Sequence, residues 1–304
     1  GMLYLQFALP NVGPAPVISI DPDPERIERG QYLANHVMVC IDCHSTRDWT
    51  KFSGPIIPGT EGKGGELFDQ NMGFPGAYYS VNLTSTNLGK WTDGEIFRAI
   101  TTGVSKDGHA LFNIMPYHNF GQCDEEDIFS IIAYIRSLEP IDHETPLSSS
   151  DFPINLLINN IPRKANLQPK PNTADAVAYG KYLATAASCY DCHTNQEKGQ
   201  FIGEPYAGGM RFIWPNGSVT QSLNITPHAS GIGSWTETQF VQRFKAFADS
   251  NYVTPPIGPG DFQTPMPWEM YAGMEEEDLK AIFAYLKTIE PVDNTVQNFI
   301  PSGE

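Results

Sequence analysis

The pentapeptide Cys-x-x-Cys-His occurs twice, as Cys40-Ile41-Asp42-Cys43-His44 and Cys189-Tyr190-Asp191-Cys192-His193, and it uses four of the five cysteines in the 304-residue chain. Two residues between the cysteines let one helical turn present both sulfurs on the same side, where they can bond the two vinyl groups of a porphyrin. The histidine that follows then reaches the iron. This is the attachment signature of c-type haem, so the pair predicts two covalently bound c-type haems (iron). Other uses of the same residues fit less well. Zinc-binding Cys-x-x-Cys pairs stand roughly 15 to 20 residues apart, whereas these are separated by most of a domain. A thioredoxin-like redox pair needs a βαβ setting, and the flanks here read as helix and loop. Two local disulfides would leave the following histidine unexplained twice.

The duplication extends well beyond the motifs, and the chain reads as an internal repeat. Arg29-Gly30-Gln31-Tyr32-Leu33-Ala34 matches Tyr179-Gly180-Lys181-Tyr182-Leu183-Ala184, and Val81-Asn82-Leu83-Thr84 matches Leu223-Asn224-Ile225-Thr226. Leu88-Gly89-Lys90-Trp91-Thr92 matches Ile232-Gly233-Ser234-Trp235-Thr236, and the segment from Met115-Pro116-Tyr117 to Glu139-Pro140 matches that from Met266-Pro267-Trp268 to Glu290-Pro291. Each copy predicts three helices. The first starts at a polar cap, Asp23 before Pro24 or Thr173 in the second copy, and leads into the haem motif. The second starts with a capping box, Thr92 with Glu95 or Thr236 with Gln239. The third opens on an acidic turn, Asp124 to Asp127 or Glu275 to Asp278, which suits the positive end of a helix dipole. Its apolar residues, Ile128, Ile131, Ile132, Ile135 and Leu138 or Leu279, Ile282, Phe283, Leu286 and Ile289, share one face.

Within this frame His44 and His193 are expected to bind iron through Nε2, with the other ring nitrogen donating to a backbone carbonyl or similar acceptor. Met115 and Met266 are the expected sixth ligands, because no other methionine recurs at an equivalent place in both copies. His118, which faces Glu269 in the alignment, and Met270, which faces Asn119, stand as the next candidates. A soft thioether favours ferrous over ferric iron, so His/Met ligation raises the reduction potential. Asn82 and Asn224 are read either as propionate contacts or as Asx turns, and Trp91 and Trp235 either as propionate donors or as core. Arg211 is a candidate propionate partner without a counterpart in the first copy. Cys123 aligns with Met274 and reads as a small core residue rather than a reactive thiol.

The order of helix, haem motif, loops, methionine and closing helix resembles a class I cytochrome c domain in both halves. The resemblance implies an all-α fold of two tandem, loop-rich domains whose first and last helices cross closely, with Gly30 or Gly180 clearing the crossing and Tyr134 or Tyr285 packing over it. We expect an N-terminal extension over 1–23, domains over 24–141 and 173–304, and a linker over 142–172 whose apolar run Ile154 to Ile158 packs against one or both domains. Asn-Ile-Thr-Pro (224–227), Gly-Ile-Gly-Ser-Trp-Thr (231–236) and Met-Pro before a Tyr-Leu helix resemble the cytochrome subunits of membrane-associated alcohol and gluconate dehydrogenases. That resemblance implies electron transfer from a dehydrogenase-type donor to a respiratory or soluble acceptor, in a protein that is not itself an enzyme. The alternative is a dihaem peroxidase-like enzyme with one open or displaceable haem site, which the matched methionines disfavour.

Composition bounds the partners. Hydrophobic residues make up 40% of the chain, and 25 prolines with 27 glycines predict many turns. The net charge of −16 argues against nucleic acid and anionic membrane surfaces, and favours a redox protein with a basic or neutral docking face. No segment approaches the roughly 20 apolar residues of a membrane span. The stretch Leu3 to Leu9 is too short and lacks the basic flank of a secretion signal. Because haem attachment and exposed thiols belong outside the cytoplasm, we expect a periplasmic or otherwise extracytoplasmic protein of bacterial type, with export signal removed and a tether through the missing N-terminus left open.

Overall fold

The computed structural model describes residues 9–303. The Leu3 to Leu9 stretch lies outside them except for Leu9. The chain divides into two compact units, one of Gly1–Arg47, Ile56–Gln70 and Phe74–Pro169, the other of Asp48–Pro55, Asn71–Gly73 and Lys170–Glu304. Each unit carries one haem motif.

In the first unit the opening helix Pro24–Tyr32 packs against the closing helix Glu125–Ser137. In the second, Ala176–Ala186 packs against Glu276–Leu286. Both contacts depend on a missing side chain. A Cβ on Gly30 would sit 1.8 Å from the carbonyl oxygen of Ser130, and one on Gly180 would sit 1.8 Å from that of Ala281. Around these contacts Leu33, Val37, Ile128, Ile131 and Ile132 are fully buried in one unit, as are Leu183 and Leu279 in the other. Each such side chain contributes about 1.5–3 kcal/mol of burial.

The caps follow the sequence closely. Asp23 accepts from the Arg26 backbone N–H at 2.9 Å, with Pro24 opening the helix. Thr92 with Glu95, and Thr236 with Gln239, form reciprocal capping boxes. The second opening helix is the exception, for its cap is Asp175 rather than Thr173. Asn172 makes a turn that uses up Thr173: it accepts from the Asp175 N–H through its carbonyl and from the Ala174 N–H through its side chain.

The opening helices also differ. The first copy has one residue more between Tyr32 and Cys40 than the second has between Tyr182 and Cys189. The extra residue is absorbed as a π-helical turn at Leu33–Val37, where the Met38 N–H donates to the Leu33 carbonyl. The second copy stays α-helical to Ala186. A π turn is a helix's way of holding one residue too many without breaking.

The expected all-α fold is not what forms. Helix takes up 34% of the described residues and strand 9%, and they include three small antiparallel sheets, so the fold is mixed and loop-rich. In the first unit Gly76–Tyr79 pairs with Leu67–Phe68 on one side and Ser149–Ser150 on the other. In the second, Val219–Gln221 pairs with Arg211–Ile213 and Phe299–Ile300, and a separate hairpin joins Gln196–Glu197 to Gln200–Phe201. The outer strand of each three-stranded sheet comes from the tail that follows the closing helix. Ser149–Ser150 therefore lies inside the segment read from sequence as a linker, and the first unit runs on to Pro169. Near the start of the chain, the Ile20 N–H donates to Asp93 Oδ2 at 2.9 Å, and a Cβ on Gly94 would meet the Pro16 carbonyl. The extension thus packs on the helix Asp93–Thr102.

Candidate haem-binding sites

Each motif forms a single helical turn, Cys40–Cys43 or Cys189–Cys192. The residue before each turn is held left-handed, Val39 at φ 46° and Ser188 at φ 55°. A non-glycine residue in that region carries about 1–3 kcal/mol of strain. The repeat of the strain in both copies marks a geometry that the motif requires.

The histidine after each turn is oriented by the backbone. His44 Nδ1 lies 2.8 Å from the Val81 carbonyl oxygen, and His193 Nδ1 lies 2.7 Å from that of Leu223. With its proton on Nδ1, each ring directs an Nε2 lone pair away from that carbonyl. Burial lowers both histidine pKa values, opposed by the carbonyl bond, so the neutral ring that a metal needs is favoured.

A glycine brings the carbonyl within reach. The Gly64 N–H donates to the His44 carbonyl at 2.8 Å, and a Cβ there would sit 2.5 Å from the Val81 carbonyl carbon. Gly208 does the same for His193 and Leu223. Both glycines have positive φ, 72° and 77°. The next residue in each chain segment pins it. Asn82 Nδ2 donates to the carbonyls of Ile141 and His143, while its Oδ1 accepts from the N–H and hydroxyl of Thr84. Asn224 Nδ2 donates to the Val292 carbonyl and to Ser230 Oγ, and its Oδ1 accepts from Thr226. Both asparagines are buried, and their donors are engaged inside the protein. They act here as Asx turns that clamp the tail after the closing helix.

All five cysteines are unpaired thiols. Desolvation pushes each of Cys40, Cys43, Cys189 and Cys192 up to about 12, while their side chains still reach solvent, Cys192 exposed and the other three half-buried. A thioether is uncharged, whereas zinc ligation and nucleophilic catalysis need a thiolate. Among the described residues no cluster of three or more His, Cys, Asp or Glu side chains could hold a metal ion. The donor set therefore fits a covalently attached haem. Cys123 is buried in the core at 1% exposure, with Sγ 3.5 Å from the Asn119 carbonyl.

Met115 and Met266 are half-buried and share one backbone form. The Met115 carbonyl accepts from the Tyr117 N–H at 2.8 Å around Pro116 (φ −80°, ψ 52°). The Met266 carbonyl accepts from the Trp268 N–H at 2.9 Å around Pro267 (φ −81°, ψ 71°). Both are inverse γ-turns, and both run directly into a short helix. His118 stacks edge-on against Tyr117 at 4.7 Å and is half-buried. Trp91 and Trp235 are also half-buried. The Trp91 carbonyl accepts from Arg136 Nη2, and Trp235 lines a surface depression with Gln239, Gln242 and Arg243. Arg211 is exposed on its strand.

Residues 177–290 match the Cytochrome c family. This stretch is similar to a cytochrome c domain. The chain is also similar to the cytochrome c subunit of alcohol dehydrogenase (quinone) from Gluconacetobacter polyoxogenes, at 26% identity over 92% of this chain and 59% of the relative. It is 24% identical to the gluconate 2-dehydrogenase cytochrome c subunit of Pantoea cypripedii, over 88% of this chain and 60% of the relative. It is 22% identical to a diheme cytochrome c-type protein of Cereibacter sphaeroides, over 84% and 83%. The chain thus spans about 59% of the length of the alcohol dehydrogenase subunit. The match over residues 177–290 and the likeness to these cytochrome subunits support electron transfer and a covalently bound haem. No helix among the described residues is long and apolar enough to cross a membrane.

Several parts of these sites carry no signature in sequence. The carbonyls of Val81 and Leu223 belong to the backbone, although the recurring pairs Gly64-Gly65 and Gly208-Gly209 mark their approach. Beside the first Cys-x-x-Cys-His motif stands a buried ion pair, Asp42 with Arg47 at 2.8 Å, their side chains 6% and 4% exposed. The equivalent of Arg47 in the second copy is Gln196, which donates to the Asp191 carbonyl.

Proposed function

We propose that this protein is a dihaem c-type cytochrome that relays electrons from a dehydrogenase-type donor to a respiratory or soluble acceptor through two His/Met-ligated haems. The observation that carries the reading is the matched pair of histidines, each with Nδ1 tied to a backbone carbonyl. Bound haem supplies a one-electron ferric/ferrous couple. Cys40 and Cys43, or Cys189 and Cys192, hold it covalently, and His44 or His193 offers Nε2 to the iron. Met115 and Met266 would each offer a thioether to the iron, from backbone held in matching inverse γ-turns. The hydrogen bond to Val81 or Leu223 fixes the ring and makes the imidazole more basic. The first half takes a haem on the strength of its repeated motif and of its similarity to the diheme relative. The acidic surface suits a docking partner with a basic or neutral face, and a dehydrogenase subunit fits the relatives. The periplasm is the compartment in which such a chain would work.

Visible spectra and a redox titration of the purified protein test this reading. Two low-spin haems that ignore carbon monoxide and peroxide are expected, and a high-spin haem that binds them would sink it. Met115→Ala and Met266→Ala should each open one haem and lower its potential; unchanged spectra would remove the methionines from the iron.

A further inference from the structure

We propose that Ser53 and Gln263 are positioning residues that hold Met266 in place, a reading that rests on Met266 being the sixth ligand. The second unit includes the segment Asp48–Pro55, which sequence places just after the first haem motif. Gln263, buried at 6% exposure, grips this segment at several points. Its Oε1 accepts from the N–H groups of Ser53 at 2.8 Å and Thr264 at 3.0 Å. Its Nε2 donates to the Lys51 carbonyl at 2.9 Å and the Trp49 carbonyl at 3.4 Å. Phe52 and Thr50 add backbone bonds to Pro255 and Ile257, and the Phe52 ring stacks on Phe247.

The grip ends at the methionine peptide. Ser53, buried and held at φ 65°, donates its hydroxyl to the Met266 carbonyl and accepts from the Trp268 N–H at 3.3 Å. Thr264 Oγ1 accepts from the Met266 N–H at 3.1 Å. Both polar groups of the Met266 peptide are therefore fixed by side chains as well as by the γ-turn. In the other half, the Met115 carbonyl accepts from the Tyr117 N–H and from no side chain among the described residues. A side chain with three rotatable bonds loses freedom on binding a metal, and that loss is smaller when its backbone is already fixed. Groups that orient a ligand typically alter metal affinity 10- to 100-fold.

The test compares Ser53→Gly, Gln263→Ala and Met266→Ala in the holoprotein, read by imidazole titration of the ferric haems and by potentiometry. Glycine removes only the hydroxyl at Ser53 and suits its positive φ. Ser53→Gly and Gln263→Ala should each let imidazole take one haem about tenfold more readily. At a fixed, saturating imidazole concentration the potential of that haem should fall about 59 mV below the wild-type value for a tenfold tighter ferric adduct, while the other haem titrates as in wild type. Gln263→Glu, which keeps the acceptor but not the donors, should fall between wild type and Gln263→Ala. If Met266→Ala opens one haem but Ser53→Gly and Gln263→Ala bind imidazole as wild type does, the positioning role is overturned and the ligand assignment stands. If Met266→Ala opens neither haem, the ligand assignment itself fails.

Discussion

The two halves brace their sites at different ends. In the first, a buried Asp42–Arg47 pair stands at the cysteine motif, and the Met115 peptide relies on its own turn. In the second, Gln196 replaces the arginine, and the reinforcement lies instead at the Met266 peptide, through Ser53, Thr264 and Gln263. The helix contact, the histidine carbonyl and the asparagine clamp are the same in both. The repeat has thus kept the framework that holds the histidine and has varied what surrounds it.

Five substitutions would break or sharpen that comparison. Gly30→Ala and Gly180→Ala attack what the halves share, since each drives a methyl group onto a carbonyl oxygen. Each should cost more than about 4 kcal/mol and unfold its own half first, visible as a split melting transition followed by haem absorbance. Two equal losses would confirm a common framework; a silent variant would break it. Arg47→Ala attacks what is private to the first half. It leaves Asp42 buried without that partner, and should cost about 3 kcal/mol and lower the potential of the first haem. Gln196→Ala at the equivalent position should cost about 0.5 kcal/mol or less.

A further contrast between the halves concerns pH. Burial pushes the Cys123 thiol up to about 12, with the nearby Asp127 and Asp124 charges acting the same way. The unfolded thiol loses its proton near 9, so between those values the folded chain holds a proton that the unfolded chain has released. Stability from this group is fully present below pH 9 and falls as pH rises, by about 1.4 kcal/mol per unit. Cys123→Met, copying Met274, should flatten the slope between pH 9 and 10.5 in denaturant titrations. An unchanged slope would assign the alkaline loss to the buried tyrosines, such as Tyr117 and Tyr206, whose pKa values burial also raises.

Much of the helical frame was legible because its signals are local. Thr92 and Glu95 are three residues apart, and the apolar stripe of the closing helix repeats every three or four. Gly30 and Gly180 could be placed at the helix crossing because the repeat and the family resemblance agreed there. The sheets were not legible. Strands of two to four residues show no period of two, and Ser149–Ser150 becomes a strand only by pairing with Gly76–Ala77. The grip on Met266 was equally hidden, since Ser53 and Gln263 meet across 210 residues of chain. Asp175 replaced Thr173 as a cap because a turn at Asn172 came first.

The outer strand drawn from each tail decides where a half can be cut. A first half ending at residue 141 keeps every helix of the closing pair, yet it discards the His143 carbonyl that takes one of the Asn82 donors and the strand Ser149–Ser150. That asparagine sits next to the carbonyl that orients His44. A fragment meant to load haem by itself should therefore extend past Ser150, because the last stretch of each half is the latch that closes behind its histidine.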